Sequence, residues 1–263
     1  MLSVLKIGGS VLRDDDSFAR VARVLHDRLA TNPHERLVVI VSAEHGETNR
    51  LLAEAQAIAA VPEQAALDLL WSTGELRSVA RLALHLQALG TRAIPFNVHQ
   101  TGIVSAEAGS GNRVTVRPRR LLAAMDTARL VVVPGFLGIG VGGAVASLGR
   151  GGSDLTAVLL AASVRADACE LIKDVPGYFT ADPHRAADAR PIHELTVDEA
   201  LAMADAGCDL VQRAALQAAA AAGLLLIVRS MDTTAPCTEV HSRSTSRHGI
   251  RHEVDSRRAV VRA

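Results

Sequence analysis

Short, uninterrupted apolar runs set the pattern of this chain, and stretches with helical spacing separate them. The runs Leu2–Ile7 (LSVLKI), 37–42 (LVVIVS), Leu130–Pro134 (LVVVP), Ala168–Ile172 (ACELI) and 224–228 (LLLIV) are too short for helices and too apolar for strands with one wet face. They predict strands buried on both faces, and 91–96 predicts another. Between the first two runs, Phe18, Val21, Val24, Leu25 and Leu29 recur on one face of a helix expected from Phe18 to about Ala30. Asp16-Ser17 would cap that helix and Asn32-Pro33 would end it. Further helices are expected from about Arg50, over 65–89 with an interruption at Ser72-Thr73-Gly74, over 154–164, over 196–206 and over 210–222. Strands alternating with helices predict an α/β protein whose parallel sheet is covered on both faces. No repeat or low-complexity linker precedes residue 240. From His241 a basic tail begins, expected to be a loop with one short edge strand at Ala259-Val260-Val261.

Charge and composition narrow the function classes. Lys+Arg and Asp+Glu are both 28, which argues against a strongly basic nucleic-acid binder. Aromatic residues are 2% of the chain, too few for a base-stacking surface. Cys169, Cys208 and Cys237 are far apart and show no zinc spacing, so free thiols in a reducing compartment are expected. The N-terminus turns acidic at Asp14-Asp15-Asp16 without a long apolar core, unlike a signal peptide. With no run of about 18 apolar residues for a membrane span, a cytoplasmic protein is expected. Only two lysines occur, Lys6 and Lys173, among many arginines. Where arginine is the default cation, a surviving lysine suggests a need for a compact point charge.

In open α/β sheets, ligands bind beyond the carboxyl ends of the strands, and three segments there carry unusual chemistry. Lys6-Ile7-Gly8-Gly9-Ser10 sets a lysine before two glycines and a hydroxyl. Glycines let backbone approach an anion closely, and outward N–H groups form an anion nest. A plain turn would read the same. In Gly149-Arg150-Gly151-Gly152-Ser153-Asp154, glycines bracket an arginine before an apolar helix. The helix start offers unpaired N–H groups, Arg150 can hold a carboxylate, and Asp154 can act or simply cap. The third segment, 173–183, joins Lys173-Asp174 to a turn and two adjacent aromatics, suited to an adenine or to an ordinary surface loop. Gly138–Gly143 formally matches GxGxxG, but no helix opens there and no acidic residue follows about 20 positions on, so a dinucleotide site is not expected.

Taken in order and spacing, KIGGSV, VSAEHGETNRLL, STGE, the Q-T-G-I segment, LGRGGSDLTA and KDVPGYFTADP resemble the amino acid kinase superfamily, and within it the catalytic domain of aspartate kinase. The resemblance covers roughly residues 2–240. It implies a three-layer α/β/α sandwich around a mainly parallel sheet of about eight strands, with a catalytic domain over 1–240 and the tail over 241–263. The implied activity is that of an ATP-dependent small-molecule kinase, carrying the γ-phosphoryl of Mg-ATP to the side-chain carboxylate of L-aspartate or a close analogue. The magnesium would arrive with ATP rather than in a protein metal site. Lys6 matches the lysine that stabilises the transferring phosphoryl, and Gly8, Gly9 and Ser10 match the phosphate loop. Asp154 matches the aspartate that organises the site. Thr48, Glu75, Arg150 and Ser153 match the amino-acid site, with Glu75 facing the substrate ammonium and Arg150 its α-carboxylate. Asp174, Phe179, Asp182 and His184 match the nucleotide loop. A homodimer is implied, with no nucleic-acid or membrane partner.

The chain departs from that pattern at several places. The phosphate loop lacks a threonine usual in aspartate kinases. A small apolar loop, usually SAMGG, becomes Ser42-Ala43-Glu44-His45-Gly46, which is expected to add charge beside the acceptor. Phe179 and His184 stand for a usual tyrosine and arginine. Most seriously, Asp209 occupies the position of a lysine that usually reaches the ATP phosphates. Lys173, in place of a usual threonine or serine, is expected to restore that charge, with Arg213 a second candidate; pairing of Lys173 with Asp209 is the alternative. Two other functions stay open: a kinase of another small acid or oxyanion, and a catalytically weak paralogue serving as a binding or regulatory subunit. Aspartate kinases normally continue into two regulatory ACT domains, and this chain stops about where the first would begin, with 248–250 and 258–262 as a relic of its first strand. Feedback by a bound amino acid is not expected.

Overall fold

In the computed structural model, residues 1–105, 114–149, 151–183, 186 and 188–242 are described. The apolar runs form the central strands: β1 (Leu2–Ile7), β2 (Arg36–Val41), β3 (Ala93–Pro95), β6 (Leu130–Pro134), β9 (Ala168–Ile172) and β11 (Leu226–Arg229). With β10 (Glu194–Thr196) and β12 (Thr238–His241) they make an eight-stranded sheet in the order β10-β12-β11-β9-β1-β2-β6-β3. Every pairing in it is parallel except β11 with β12.

Side chains of a strand alternate between faces, and β1 shows the result. Val4 joins a core with Val38, Val131 and Leu171, whereas Leu5 and Ile7 join another with Val39, Val41 and Val132. Helices α1 (Asp15–Thr31) and α3 (Gln64–Ala88) cover the second face, while α5 (Gly152–Val164), α6 (Val197–Asp205) and α7 (Arg213–Ala222) cover the first. This is the expected three-layer sandwich. The remaining helices are α2 (Glu47–Ile58), packed on α3, and α4 (Arg119–Met125).

Several boundaries differ from expectation. Asp14 caps α1, accepting from the Ser17 N–H at 2.8 Å while the Ser17 hydroxyl accepts from the Asp14 N–H at 3.0 Å; Asp16 lies inside the helix. Helix α2 begins at Glu47 rather than Arg50. Helix α3 runs without a break through Ser72-Thr73-Gly74. There the Ser72 and Thr73 hydroxyls turn back onto the carbonyls of Leu69 and Leu70 at 2.6 and 2.7 Å, and Gly74 leaves room for a neighbouring loop. Residues 210–212 precede α7 instead of belonging to it. A second sheet, β5-β4-β7-β8, built from β4 (Ile103–Ser105), β5 (Val114–Val116), β7 (Leu137–Ile139) and β8 (Val145–Ser147), was not foreseen as a sheet; only its glycine-rich β7–β8 hairpin was legible. That hairpin occupies the GxGxxG match, and no helix of dinucleotide-binding type opens in it. The tail strand expected at 259–261, and the suggested relics at 248–250 and 258–262, lie outside the described residues.

Among the described residues no helix is long and apolar enough to cross a membrane. None of the three cysteines forms a disulfide, and Cys169 and Cys208 are buried; burial pushes the Cys169 thiol well above its ordinary range.

Candidate active site

The site grows from the carboxyl ends of β1 and β9. Lys6 pairs in register with Leu171, and Lys173 follows two residues later. By the two-residue period of a strand, both lysines leave the sheet on the face that α5 covers. Asp154, in the first turn of α5, meets them there. The Lys6 Nζ lies 2.9 Å from Asp154 Oδ1, and the Lys173 Nζ donates to Oδ2 at 2.9 Å. Lys6 and Asp154 are buried and Lys173 nearly so. Burial alone would raise the Asp154 carboxyl, but Lys173 and Lys6 together outweigh it and hold the group well below the usual carboxylate range. For Lys173, burial lowers the ammonium's pKa, and Lys6 adds to the fall against the pull of Asp154. The alternative pairing is thereby corrected: Lys173 pairs with Asp154, while Asp209 stands exposed in the loop before α7. Arg213 likewise pairs with Asp205, on the surface.

The Gly8-Gly9-Ser10 turn closes beside this triad. The Gly8 N–H donates to Ile172 O at 3.1 Å, and Val11 and Leu12 N–H groups return to the Gly8 and Gly9 carbonyls at 3.0 Å each. A Cβ on Gly9 would lie 2.7 Å from Ala43 O, so the turn needs glycine. Ser10 follows in the same turn and its carbonyl accepts from Arg13 Nε at 2.7 Å. Gly151, before α5, has φ +74, and a Cβ there would overlap Gln212. That contact brings the loop containing Asp209 against the start of α5.

Glu75 lies across from the triad on α3, 4% exposed, with Oε2 lacking a hydrogen-bond partner. Burial pushes its pKa up to about 8, opposed by the Ala43 backbone, by Lys6 and by the Gly135 backbone. A Cβ on Gly135 would lie 2.7 Å from the Ser153 Oγ, so Ser153, Gly135 and Glu75 adjoin. Thr48 is exposed in the first turn of α2. Its carbonyl accepts from the Trp71 indole N–H at 3.2 Å, one helical turn from Glu75. Arg150 and His184 lie outside the described residues.

In the loop after β9, Asp174 is exposed and 3.9 Å from Arg13 Nη2. Phe179 is half-buried, bridging to Pro191, and Asp182 is half-buried in the same loop. The aromatic neighbours have different fates. Tyr178 is sunk in the core, its N–H on Thr238 Oγ1 at 2.8 Å and its hydroxyl pushed up in pKa by burial; only Phe179 remains near the surface.

Sequence reasoning missed Ala43, Gly135 and Phe136, because the first two act through backbone. Phe136 has a φ of +66 and packs against Trp71 at 5.5 Å between ring centres. A positive φ on a bulky residue marks strain held by its surroundings, and the Pro134-Gly135 turn was its only signal. The charge that Glu44 brings to its loop is paired, its carboxylate turning to Arg77 and Arg81 of α3.

A parallel sheet whose strand ends combine a glycine turn with a buried carboxylate between two ammoniums defines an α/β protein with a charged site at the carboxyl edge of its sheet. The model of the amino acid kinase family matches residues 1–230, and the chain belongs to that family. An aspartokinase from Thermus thermophilus is 38% identical over 241 residues, 91% of this chain and 59% of its own length. The solved aspartate kinase from Synechocystis is 33% identical with a TM-score of 0.81, over 92% of this chain and 40% of that one. Escherichia coli aspartokinase III, solved in complex with aspartate and ADP, is 25% identical with a TM-score of 0.78, over 94% of this chain and 66% of that one. The chain therefore spans only part of each relative.

Proposed function

We propose that this chain transfers the γ-phosphoryl group of Mg-ATP to the side-chain carboxylate of L-aspartate or a close analogue, giving an acyl phosphate. The observation that carries the reading is the Lys6–Asp154–Lys173 triad beside the Gly8-Gly9-Ser10 turn. Phosphoryl transfer asks of a protein mainly positioning and charge neutralisation. Lys6 would steady the charge on the transferring group, Lys173 the phosphates behind it, and Asp154 would hold both ammoniums apart and aimed. Glu75 would take the acceptor's ammonium, and Ser153, Thr48 and Arg150 would hold its carboxylates. Asp174, Phe179, Asp182 and His184 would contact the nucleotide.

The residues present fit such a ligand: the turn is closed behind by backbone that a Cβ would strike, and one carboxylate between two ammoniums leaves a net positive site. Among the described residues, no group of three or more His, Cys, Asp or Glu side chains is arranged to hold a metal ion. Magnesium would be held chiefly by phosphate oxygens and would add charge neutralisation there. We further take the domain to span 1–240, and the protein to be cytoplasmic and homodimeric, without nucleic-acid or membrane partners.

The test is turnover of Mg-ATP against a panel of acidic amino acids, with hydroxylamine trapping the acyl phosphate. Hydroxamate with aspartate is expected. Hydroxamate with a different acid alone would move the acceptor. ATP binding without turnover on any acid would favour the non-catalytic paralogue, the reading that exposed Asp209 supports.

A further inference from the structure

We propose that Glu44 is a positioning residue for the acceptor site: held by Arg77 and Arg81, it pins the loop after β2 so that Ala43 meets Glu75. The inference rests on the reading of Glu75 as the partner of the acceptor's ammonium.

Loop 42–46 has few means of its own to hold a shape. Ala43 offers a methyl, Gly46 has no side chain, and His45 is exposed. Backbone bonds hold the loop to the β1 side, Ser42 N–H to Ile7 O at 3.2 Å and His45 N–H to Leu12 O at 2.9 Å, and on α3 the Ala43 backbone meets only the Glu75 carboxylate itself. The loop's side-chain tie to α3 comes from Glu44. Its Oε1 accepts from Arg77 Nη2 at 3.0 Å and from Arg81 Nη1. Arg77 also lies 3.3 Å from Glu47 Oε1 at the start of α2.

The arginines are themselves fixed. Arg81 lies over the Phe18 ring at 4.4 Å and donates to Asp15 Oδ1 at 3.0 Å, an atom that His85 Nε2 also reaches at 3.1 Å. Arg77, Arg81 and His85 recur every four residues, forming one stripe of α3. Glu75 belongs to the adjoining buried stripe with Ser78 and Leu82. The clamp therefore acts on the helix that carries the acceptor carboxylate. Arg81, stacked on Phe18 and paired with Asp15, loses little freedom when it also binds Glu44, unlike an isolated surface pair.

What the clamp presses together is the site. A Cβ on Gly74 would lie 3.2 Å from the Ala43 Cβ and 3.2 Å from Glu47 Cγ, so the loop sits directly on α3. The Ala43 backbone faces the Glu75 carboxylate, and the Ala43 carbonyl abuts Gly9. The phosphate turn has other anchors in Ile172 and in its own return bonds. Glu75 has far fewer, so release of the loop should be felt first at the acceptor.

The experiment compares wild type with Glu44→Ala, Glu44→Asp and, as a control, Arg50→Ala, whose side chain pairs with Glu47 and Glu54 but not Glu44. In Glu44→Ala, the acceptor KM should rise about tenfold, with kcat and the ATP KM within about threefold. The Ala43 amide should exchange at least about tenfold faster in the ligand-free protein. Glu44→Asp should recover much of both effects, and Arg50→Ala should show neither. If Glu44→Ala does not fold, Glu44→Gln takes its place. Unchanged Ala43 exchange, or faster exchange with an unchanged acceptor KM, would overturn the proposal. Glu75→Gln run in parallel separates the two readings: if it leaves the acceptor KM unchanged, the Glu75 assignment fails, and the clamp is then judged on Ala43 exchange alone.

Discussion

Lys173 stands two residues beyond Leu171, the β9 residue paired with Lys6, and the two lysines close on opposite oxygens of Asp154 at 2.9 Å each. Adjacent parallel strands thus aim two ammoniums at one helix start. A buried carboxylate between two cations is stable only because each charge answers another.

Asp154→Asn keeps the shape and removes that answer. Two ammoniums would then face each other in a buried site. The expected loss of stability is about 3–5 kcal/mol, read from urea midpoints. An unchanged midpoint would mean that the lysines find other partners or lose their protons.

Lys173→Thr should weaken ATP binding about tenfold, about 1.4 kcal/mol, measured by calorimetry. Because Gln212 packs against Gly151 at the start of α5, a lysine at 209 starts close to the triad. The double variant Lys173→Thr with Asp209→Lys should recover most of the loss. ATP affinity indifferent to Lys173→Thr would remove the residue from the phosphate site.

Lys6→Ala should lower kcat by on the order of 10²-fold or more, with ATP and acceptor KM changed less. On the proposed reading, the charge on Lys6 serves the transferring group more than the bound reactants. Steady-state kinetics at saturating substrates decides this, and an unaltered kcat rules it out.

Glu75 gives a pH signature. With a pKa of about 8, caused mainly by burial, the empty site holds it protonated at neutral pH. An ammonium ligand prefers the ionised form, so acceptor affinity should rise as pH climbs toward about 8 and level off above. Stability runs the other way. A folded pKa raised above the unfolded value of 4.5 gives stability that is full below pH 4.5 and is lost as pH rises through 8. The loss is on the order of a few kcal/mol. Glu75→Gln should flatten both curves and raise the acceptor KM, with little effect on the ATP KM; the only tryptophan, Trp71, one turn away, offers a fluorescence readout of acceptor binding.

The central strands were legible because burial on both faces writes itself locally, as apolar runs at β1, β2, β6, β9 and β11. The two lysines stood out against the arginine background, and the glycine turn and the start of α5 stood out by their composition. Other features depend on partners distant along the chain. Ser72-Thr73-Gly74 reads as a helix break, yet α3 continues because two hydroxyls satisfy themselves on the preceding turn and the Gly74 gap receives the Ala43 loop. The strands β4, β5, β7 and β8 have three residues each, too few for any period to register.

By itself, then, the sequence determined the layered α/β class, the strands of its centre, and the residue types available at their carboxyl ends. Tertiary structure alone decided which charges meet. Lys173 could have paired with Asp209, and its partner is Asp154; Glu44 carries its charge into the loop after β2, and only packing gives it Arg77 and Arg81. A charged side chain is long and flexible, and its pairing energy depends on distance and burial. Neither exists until sheet and helices have packed.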